Sequence, residues 1–327
     1  TEKKRRSKVR CRNDGVVIPF STLKPKMTFG KVPHFEKPIS RLVLGTIALD
    51  PENPEPGFAL VDEFVKLGGN AIDTAHIYGP GRHKMVGEYL KDRGRETLVV
   101  MDKGCHPYGR NRVTREDMFS DVNDALERMA TDHLDFFVLH RDNPEVPAGE
   151  VVEWLNELVS LGKIKAFGGS NWKNSRIQEA NQYALDHRLQ AFSLSSPNLA
   201  LALPQAEMWS GVYWVDREAR DWFEQTGFPL FSWSSASGGF FAGAESEDTK
   251  RVYFNEDNLG RKSRAEELGR KYGLSSTQIA VAWTLNQPLN AFAIIGPRTI
   301  QELRDTTQIE SLHLSPEELT YLELGDR

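Results

Sequence analysis

A chain of 327 residues with 39% hydrophobic and 27% charged side chains has the make-up of a folded protein with a sizeable core, which excludes extensive disorder. Its net charge of −5 gives no global attraction to nucleic acid or to an anionic membrane, and no window approaches the ~18 uninterrupted apolar residues of a membrane span. The two cysteines, Cys11 and Cys105, exclude a disulfide framework, and the histidines lack ligand-like spacing, so no metal is expected.

In chain order, TEKKRRSKVR at residues 1–10 reads as a basic, solvated tail. It has neither the aromatic interleaving of a nucleic-acid arm nor the apolar stretch of a secretory signal. With so few cysteines, a reducing, cytoplasmic setting is the expectation. Residues 16–29 read as a hairpin preceding the first barrel strand, which divides the chain into a tail with hairpin over 1–29 and one domain over 30–327.

From Arg41 onward, short apolar or β-branched runs alternate with amphipathic segments. The spacing predicts strands over 41–45, 70–73, 98–102, 134–139, 164–168, 190–194, 229–233 and 291–295. Helices are predicted over 58–67, 83–91, 115–129, 149–161, 174–187, 216–225, 261–285 and 299–308, with a closing helix within 312–327. Ser275 with Gln278, and Ser315 with Glu318, have the spacing of N-terminal capping boxes. Gly68 and Gly162 follow helical patterns where a left-handed end is needed. Repeated βα units, with no Gly-x-Gly-x-x-Gly after the first strand, favour a (β/α)₈ TIM barrel over an open doubly wound sheet.

Barrel chemistry gathers at the C-terminal ends of the strands. Strand two ends in Asp73, with Tyr78 in the following loop; strand three ends in Asp102-Lys103, and strand four in Leu139-His140. A free tyrosine is a weak acid at neutral pH, and a cation such as Lys103 beside it favours tyrosinate and lowers its pKa. Asp73 would pair with Lys103 and hold the ammonium in place, and His140 can orient a substrate oxygen. Each residue has a plain structural alternative, an ion pair at a rim or a histidine packed over a turn. Their joint placement suits proton delivery to a carbonyl oxygen.

With Gly45-Thr46 at strand one, Asp73-Thr-Ala-His-Ile-Tyr78, Lys103 and Leu139-His140-Arg141, the chain resembles the aldo-keto reductase family from about Gly30 to Asp305. The resemblance implies Tyr78 as general acid/base, Lys103 and Asp73 as its tuning pair, and His140 as the carbonyl-positioning group. It also implies a nicotinamide cofactor, with Gly45 and Thr46 at its edge and Ser170-Asn171 on the carboxamide. Ser193 stands where the family usually has a glutamine, and Trp233 stands where a tyrosine stacks on the ring. Ser234, Ser235 and Gly239 fall in the likeness of a pyrophosphate loop, and Arg298 and Glu302 in that of the adenosine-ribose site. Arg298 suits a 2′-phosphate, whereas Glu302 suits a free ribose. NADP(H) and NAD(H) therefore stay level.

The implied activity is hydride transfer between a nicotinamide and a small carbonyl or sugar-like substrate (an aldehyde, ketone or keto-sugar), with no nucleic-acid or membrane partner. A nicotinamide-binding regulatory subunit with little turnover is the rival, carried by Ser193, Glu302 and the basic tail. Trp172, Trp209, Trp214 and Tyr108 are read as aromatic candidates for a pocket mouth, Arg110 and Arg112 as a hint of anionic substrates, and His76 as a buried scaffold residue.

Overall fold

The computed structural model describes residues 27–325. The basic tail, Cys11 and most of the hairpin expected over 16–29 lie outside the described residues. The hairpin present instead pairs β1 (Phe29–Val32) antiparallel to β2 (Phe35–Ser40).

Eight parallel strands then close a barrel: β3 (Leu42–Gly45), β4 (Ala71–Asp73), β5 (Val99–Gly104), β6 (Leu134–Leu139), β7 (Ile164–Ser170), β8 (Leu194–Ser196), β9 (Leu230–Ser232) and β10 (Ala291–Ile295), with β10 returning to pair with β3. The helices between them are α1 (Pro54–Lys66), α2 (Pro80–Arg93), α3 (Arg115–Met129), α4 (Ala148–Ser160), α5 (Asn174–His187) and α6 (Arg217–Thr226). They are followed by α7 (Glu247–Tyr253), α8 (Glu256–Tyr272), α9 (Ser276–Asn286), α10 (Ile300–Thr307) and α11 (Pro316–Leu324). This is the TIM-barrel order. Among the described residues no helix is long and apolar enough to cross a membrane.

Two of the predicted segments are redrawn. The helical stretch over 261–285 is two helices, because Gly273 turns left-handed (φ 68°) and Ser275 starts α9 with the expected capping box. The strand placed over 190–194 is β8, three residues long and beginning at Leu194. Helix α7 has no counterpart in the sequence reading; it is short and charge-rich, and Ser246 caps it by accepting from the Thr249 amide.

Period-two alternation decides what each strand presents. One parity, including Val43, Ala71, Val99, Met101, Phe136, Val138, Ala166, Leu194, Phe231, Phe292 and Ile294, forms a compact inner core. The other, including Leu44, Ile72, Val100, Phe137, Leu139 and Phe167, packs outward into the larger core beneath the helices. Phe231 stacks on Phe292 with ring centroids 4.2 Å apart. Val32 and Ile39 from the hairpin join the inner core, and Phe35 sits 4.7 Å from the Phe136 ring. The hairpin thus plugs the N-terminal end of the barrel and leaves the other end for the site.

Asp135 at the start of β6 ties three units together at that base. It is buried, and its carboxylate accepts from the Val100 amide (2.9 Å), Arg95 Nη2 (2.8 Å) and Lys165 Nζ (3.0 Å). Burial by itself would raise its pKa, but Arg95, the Val100 amide and Lys165 outweigh it and hold the carboxyl below its ordinary value. A carboxyl depressed in the folded state stabilises above its unfolded pKa, near 4, and loses that contribution as pH falls through the folded value. Asp135→Asn should therefore lower stability at pH 7 by about 2 kcal/mol, less than for a fully buried pair because Lys165 is half-exposed. In urea unfolding the gap between wild type and variant should narrow steadily below about pH 4.

Candidate active site

The inward parity that builds the inner core also sets the site, one layer further along. On β4 it runs Ala71 then Asp73, on β5 Val99, Met101 then Lys103, and on β6 Phe136, Val138 then His140 just past the strand. Register places Asp73 beside Met101, and Lys103 beside Val138. Lys103 is therefore one inward step above Asp73 on the neighbouring strand, and its ammonium donates to Asp73 Oδ1. Both side chains are almost fully buried. Burial pushes the Asp73 carboxyl upward against the pull of Lys103.

Tyr78 closes a short 3-10 turn, His76–Tyr78, after β4. The turn ends on Gly79 with φ 92°, a conformation that excludes side chains with a Cβ at little cost, and Pro80 then opens α2. Arg82 clamps the loop by donating to the carbonyls of Tyr78 (2.8 Å) and Ile47 (3.0 Å). Among the described residues the Tyr78 hydroxyl has no hydrogen-bond partner, and the ring stands edge-on to His140 with centroids 6.5 Å apart.

Electrostatics leave both rings neutral at pH 7. Burial, then the Asp73 and Asp102 carboxylates, push the Tyr78 phenol above its ordinary value. The sequence-based expectation of a lowered value is not met, because burial and the two carboxylates outweigh the nearby cations, Arg82 and Arg141. His140 is held well below the ordinary imidazole range, first by burial and then by Lys103, Arg141 and His106. A protonated phenol and an uncharged imidazole share one rim, backed by a closed ion pair.

The strand ends around the rest of the mouth are polar. Asn171, in a left-handed turn after β7 (φ 62°), donates to the His140 carbonyl (3.1 Å) and to Ser170 Oγ (3.0 Å). Its Oδ1 accepts from the Tyr213 amide (3.0 Å) and the Trp233 indole (3.1 Å). All four of its hydrogen-bonding positions are engaged, so Asn171 braces β6, β7 and the loop after β9 against one another. Ser170 Oγ in turn donates to the Ser196 carbonyl (2.8 Å). Gly45 approaches β10 closely: a Cβ there would lie 3.2 Å from the Ile295 carbonyl oxygen.

Several features fit a dinucleotide. Buried hydroxyls of Thr46, Ser196 and Ser237 near the strand ends have no partner among the described residues. The turn after β9 is built from left-handed residues, Ser234 (φ 53°), Ser237 (φ 53°), Gly238 (φ 58°) and Gly239 (φ 83°), a backbone that lets small residues approach phosphate. Ser234 Oγ accepts from the Gly238 amide (3.1 Å) and Ser235 Oγ donates to the Ile294 carbonyl (3.1 Å), which fixes that turn to the barrel. Arg298 is exposed at the start of α10, with no partner for its guanidinium among the described residues. Glu302 is committed locally, accepting from the Arg298 amide (2.7 Å) while Thr299 caps the same helix.

Four other expectations are corrected. Ser193 is fully buried and precedes β8, with its amide bonded to the Phe167 carbonyl (2.8 Å), so it is not at the mouth. Counting in twos from the inward Leu194 brings Ser196 there, opposite Ser170. Trp172 is a core residue, fully buried 5.0 Å from Phe192, whereas Trp209 and Tyr108 are exposed and Trp214 is partly buried. Arg110 and Arg112 are not free to meet an anion: Arg110 pairs with Asp117 (2.5 Å), and Arg112 with Asp117 (3.1 Å) and Asp121 (2.6 Å). His76 is only partly buried, bonds Asp124 (3.0 Å), and lines a cleft with Ile77, Tyr108 and Arg112. His106, three residues beyond Lys103, also reaches that cleft, and no motif or spacing points to it.

The chain is similar to known proteins in sequence and in fold. The model of the aldo/keto reductase family matches residues 41–324. An uncharacterised oxidoreductase of Bacillus subtilis is 28% identical over 306 residues, covering 87% of this chain and 91% of the relative. A norsolorinic acid reductase of Emericella nidulans is 28% identical over 311 residues, covering 87% of this chain and 78% of its own. A thermostable aldo-keto reductase crystallised with the inhibitor epalrestat superposes with a TM-score of 0.71 at 24% identity, covering 91% of this chain and 99% of the other, a likeness of fold.

The closed Lys103–Asp73 pair makes a stability prediction separate from any activity. Asp73→Asn leaves an uncompensated buried ammonium and should cost about 3–5 kcal/mol, and the double variant Asp73→Asn/Lys103→Met should recover most of that loss in urea unfolding. Equal instability of the single and double variants would show that the two charges do not compensate one another.

Proposed function

This chain belongs to the aldo/keto reductase family, and on that premise we propose that it transfers hydride between a nicotinamide cofactor and the carbonyl carbon of an aldehyde, ketone or keto-sugar, with Tyr78 as general acid/base. The observation that carries the proposal is the unpartnered, protonated Tyr78 hydroxyl facing neutral His140 across the rim, with Lys103 and Asp73 paired behind it.

A nicotinamide bound at the mouth supplies the hydride. Ser170, Asn171, Trp233 and Thr46 are the residues that would meet its ring and carboxamide. Because Asn171 already fills its own hydrogen-bonding positions, its part is to hold Trp233 and His140 in place, and a direct amide contact would require one internal bond to open. Ser234, Ser235, Gly239 and the neighbouring left-handed turn would border the pyrophosphate. Arg298 would meet the adenosine ribose or its phosphate, with Glu302 holding the Arg298 backbone. NADP(H) and NAD(H) are both accommodated by this set.

For the proton, the order of acidities matters. At neutral pH Tyr78 carries its proton and has no acceptor among the described residues, so a carbonyl oxygen placed at its hydroxyl accepts it directly. Neutral His140 adds a hydrogen bond that orients the same oxygen without adding charge. Lys103, closed against Asp73, favours the tyrosinate as negative charge develops on Tyr78, which is a stabilisation aimed at the reacting state.

Titration with NADPH and with NADH, followed by nicotinamide fluorescence, should show saturable binding of one or both. Tyr78→Phe should keep that binding and lose turnover by about 100- to 10,000-fold. Wild-type turnover by Tyr78→Phe would remove Tyr78 from the role, and absence of binding of either cofactor at millimolar concentration would remove the proposed activity.

A further inference from the structure

Alternation on β5 gives Lys103 an outward neighbour. Asp102 turns away from the mouth, and its Oδ1 lies 3.0 Å from Nε2 of His83, with both side chains fully buried. A carboxylate only accepts, so Nε2 carries the proton of this bond. The remaining polar atoms, His83 Nδ1 and Asp102 Oδ2, are enclosed and have no partner among the described residues. The two side chains are thus committed to each other, and breaking their bond would strand both groups away from water. The backbone is held on both sides of Asp102: the Thr74 amide donates to the Met101 carbonyl (2.8 Å), and the Lys103 amide donates to the Thr74 carbonyl (3.2 Å). His83 is therefore bonded to a fixed point next to Lys103.

His83 is also close to Tyr78 along the chain, as the fourth residue of α2, which opens directly after Tyr78-Gly79. The Tyr78 hydroxyl has no hydrogen bond of its own among the described residues. Gly79 leaves the junction unbraced, since its φ is 92° and a Cβ there would meet nothing within 4 Å among the described residues. The side-chain clamp on Tyr78 comes from the first turn of α2, where Arg82 donates to the Tyr78 carbonyl (2.8 Å). His76 steadies the same segment from the α3 side, but its acceptor Asp124 is partly exposed and shared with Arg128. The His83 bond is the enclosed one. We propose that His83 is a positioning residue for the reaction: bonded to Asp102, it pins the first turn of α2 to the strand that carries Lys103 and so sets Tyr78 against the Lys103–Asp73 pair. This rests on the reading of Tyr78 as the general acid/base of a carbonyl reductase. Proton transfer is sensitive to small displacements, so a loosened α2 turn slows the chemical step and leaves the cofactor's contacts in place.

The test is a double-mutant cycle on turnover of the best carbonyl from a broad panel, using whichever nicotinamide cofactor binds. His83→Leu should lower kcat by about 10- to 100-fold, while cofactor affinity read by nicotinamide fluorescence stays within about threefold. His83→Gln, whose amide can donate to Asp102 at the reach of Nε2, should recover turnover to within about fivefold of wild type. In a Tyr78→Phe background, His83→Leu should change the residual rate by less than about threefold, because no phenol is left to position. Three results overturn the inference while leaving the reductase reading standing: wild-type kcat in His83→Leu, no recovery in His83→Gln, or an equal further loss on top of Tyr78→Phe. A wild type that binds neither cofactor, or reduces no carbonyl of the panel, overturns that reading and the inference with it. Should His83→Leu not fold, His83→Asn, whose amide falls short of Asp102, takes its place against His83→Gln.

Discussion

The site depends on one buried contact, the Lys103 ammonium closed against the Asp73 carboxylate at the edge of an otherwise apolar barrel. Neither charge would be tolerable there alone, since several kcal/mol is lost when an ion leaves water without a partner. Their meeting is a consequence of strand geometry: alternation turns both inward, and the register between β4 and β5 sets Lys103 one step above Asp73. The hairpin plugging the opposite end completes the same constraint, because it keeps the inner core dry and makes the C-terminal rim the place where polar groups on inward positions can gather.

That contact also fixes the character of the neighbours. Burial, then the carboxylates Asp73 and Asp102, outweigh the cations Arg82 and Arg141 around Tyr78, and the phenol keeps its proton. Lys103 still acts on His140, which with burial and Arg141 it holds in the neutral form. The outward side of β5 reinforces the arrangement, because Asp102 turns into the outer layer and bonds His83 of α2 at 3.0 Å with both side chains fully buried. Strand β5 therefore presents one charge to the mouth and anchors its other side in the helical layer.

Much of the fold is legible from periodicity. β6, β10, α3 and α5 run over the predicted residues because long, strongly patterned segments bounded by clear turns leave little choice of ends. β8 does not, since three residues of Leu-Ser-Ser carry almost no alternation to read, and it begins where the predicted strand ends. Tyr78, Asp73, Lys103 and His140 are brought to one rim, as strand-end placement implies. Side-chain partners are a different matter: that Arg110 and Arg112 are neutralised by Asp117 and Asp121, that Trp172 turns into the core, and that Asn171 is saturated by four internal bonds all depend on contacts between loops distant in sequence. The conclusion that Tyr78 stays a phenol likewise needs the distribution of charge around it, which residue types do not specify.

The central claim is that Tyr78 is a protonated donor because burial and the neighbouring carboxylates outweigh the cations around it. Ultraviolet titration of tyrosinate in the protein without nucleotide, taken as the difference between wild type and Tyr78→Phe, measures this directly. Tyr78 should ionise above the ordinary tyrosine value near 10. An ionisation below about 9 would mean that cations dominate the surroundings of the phenol, and would contradict the account.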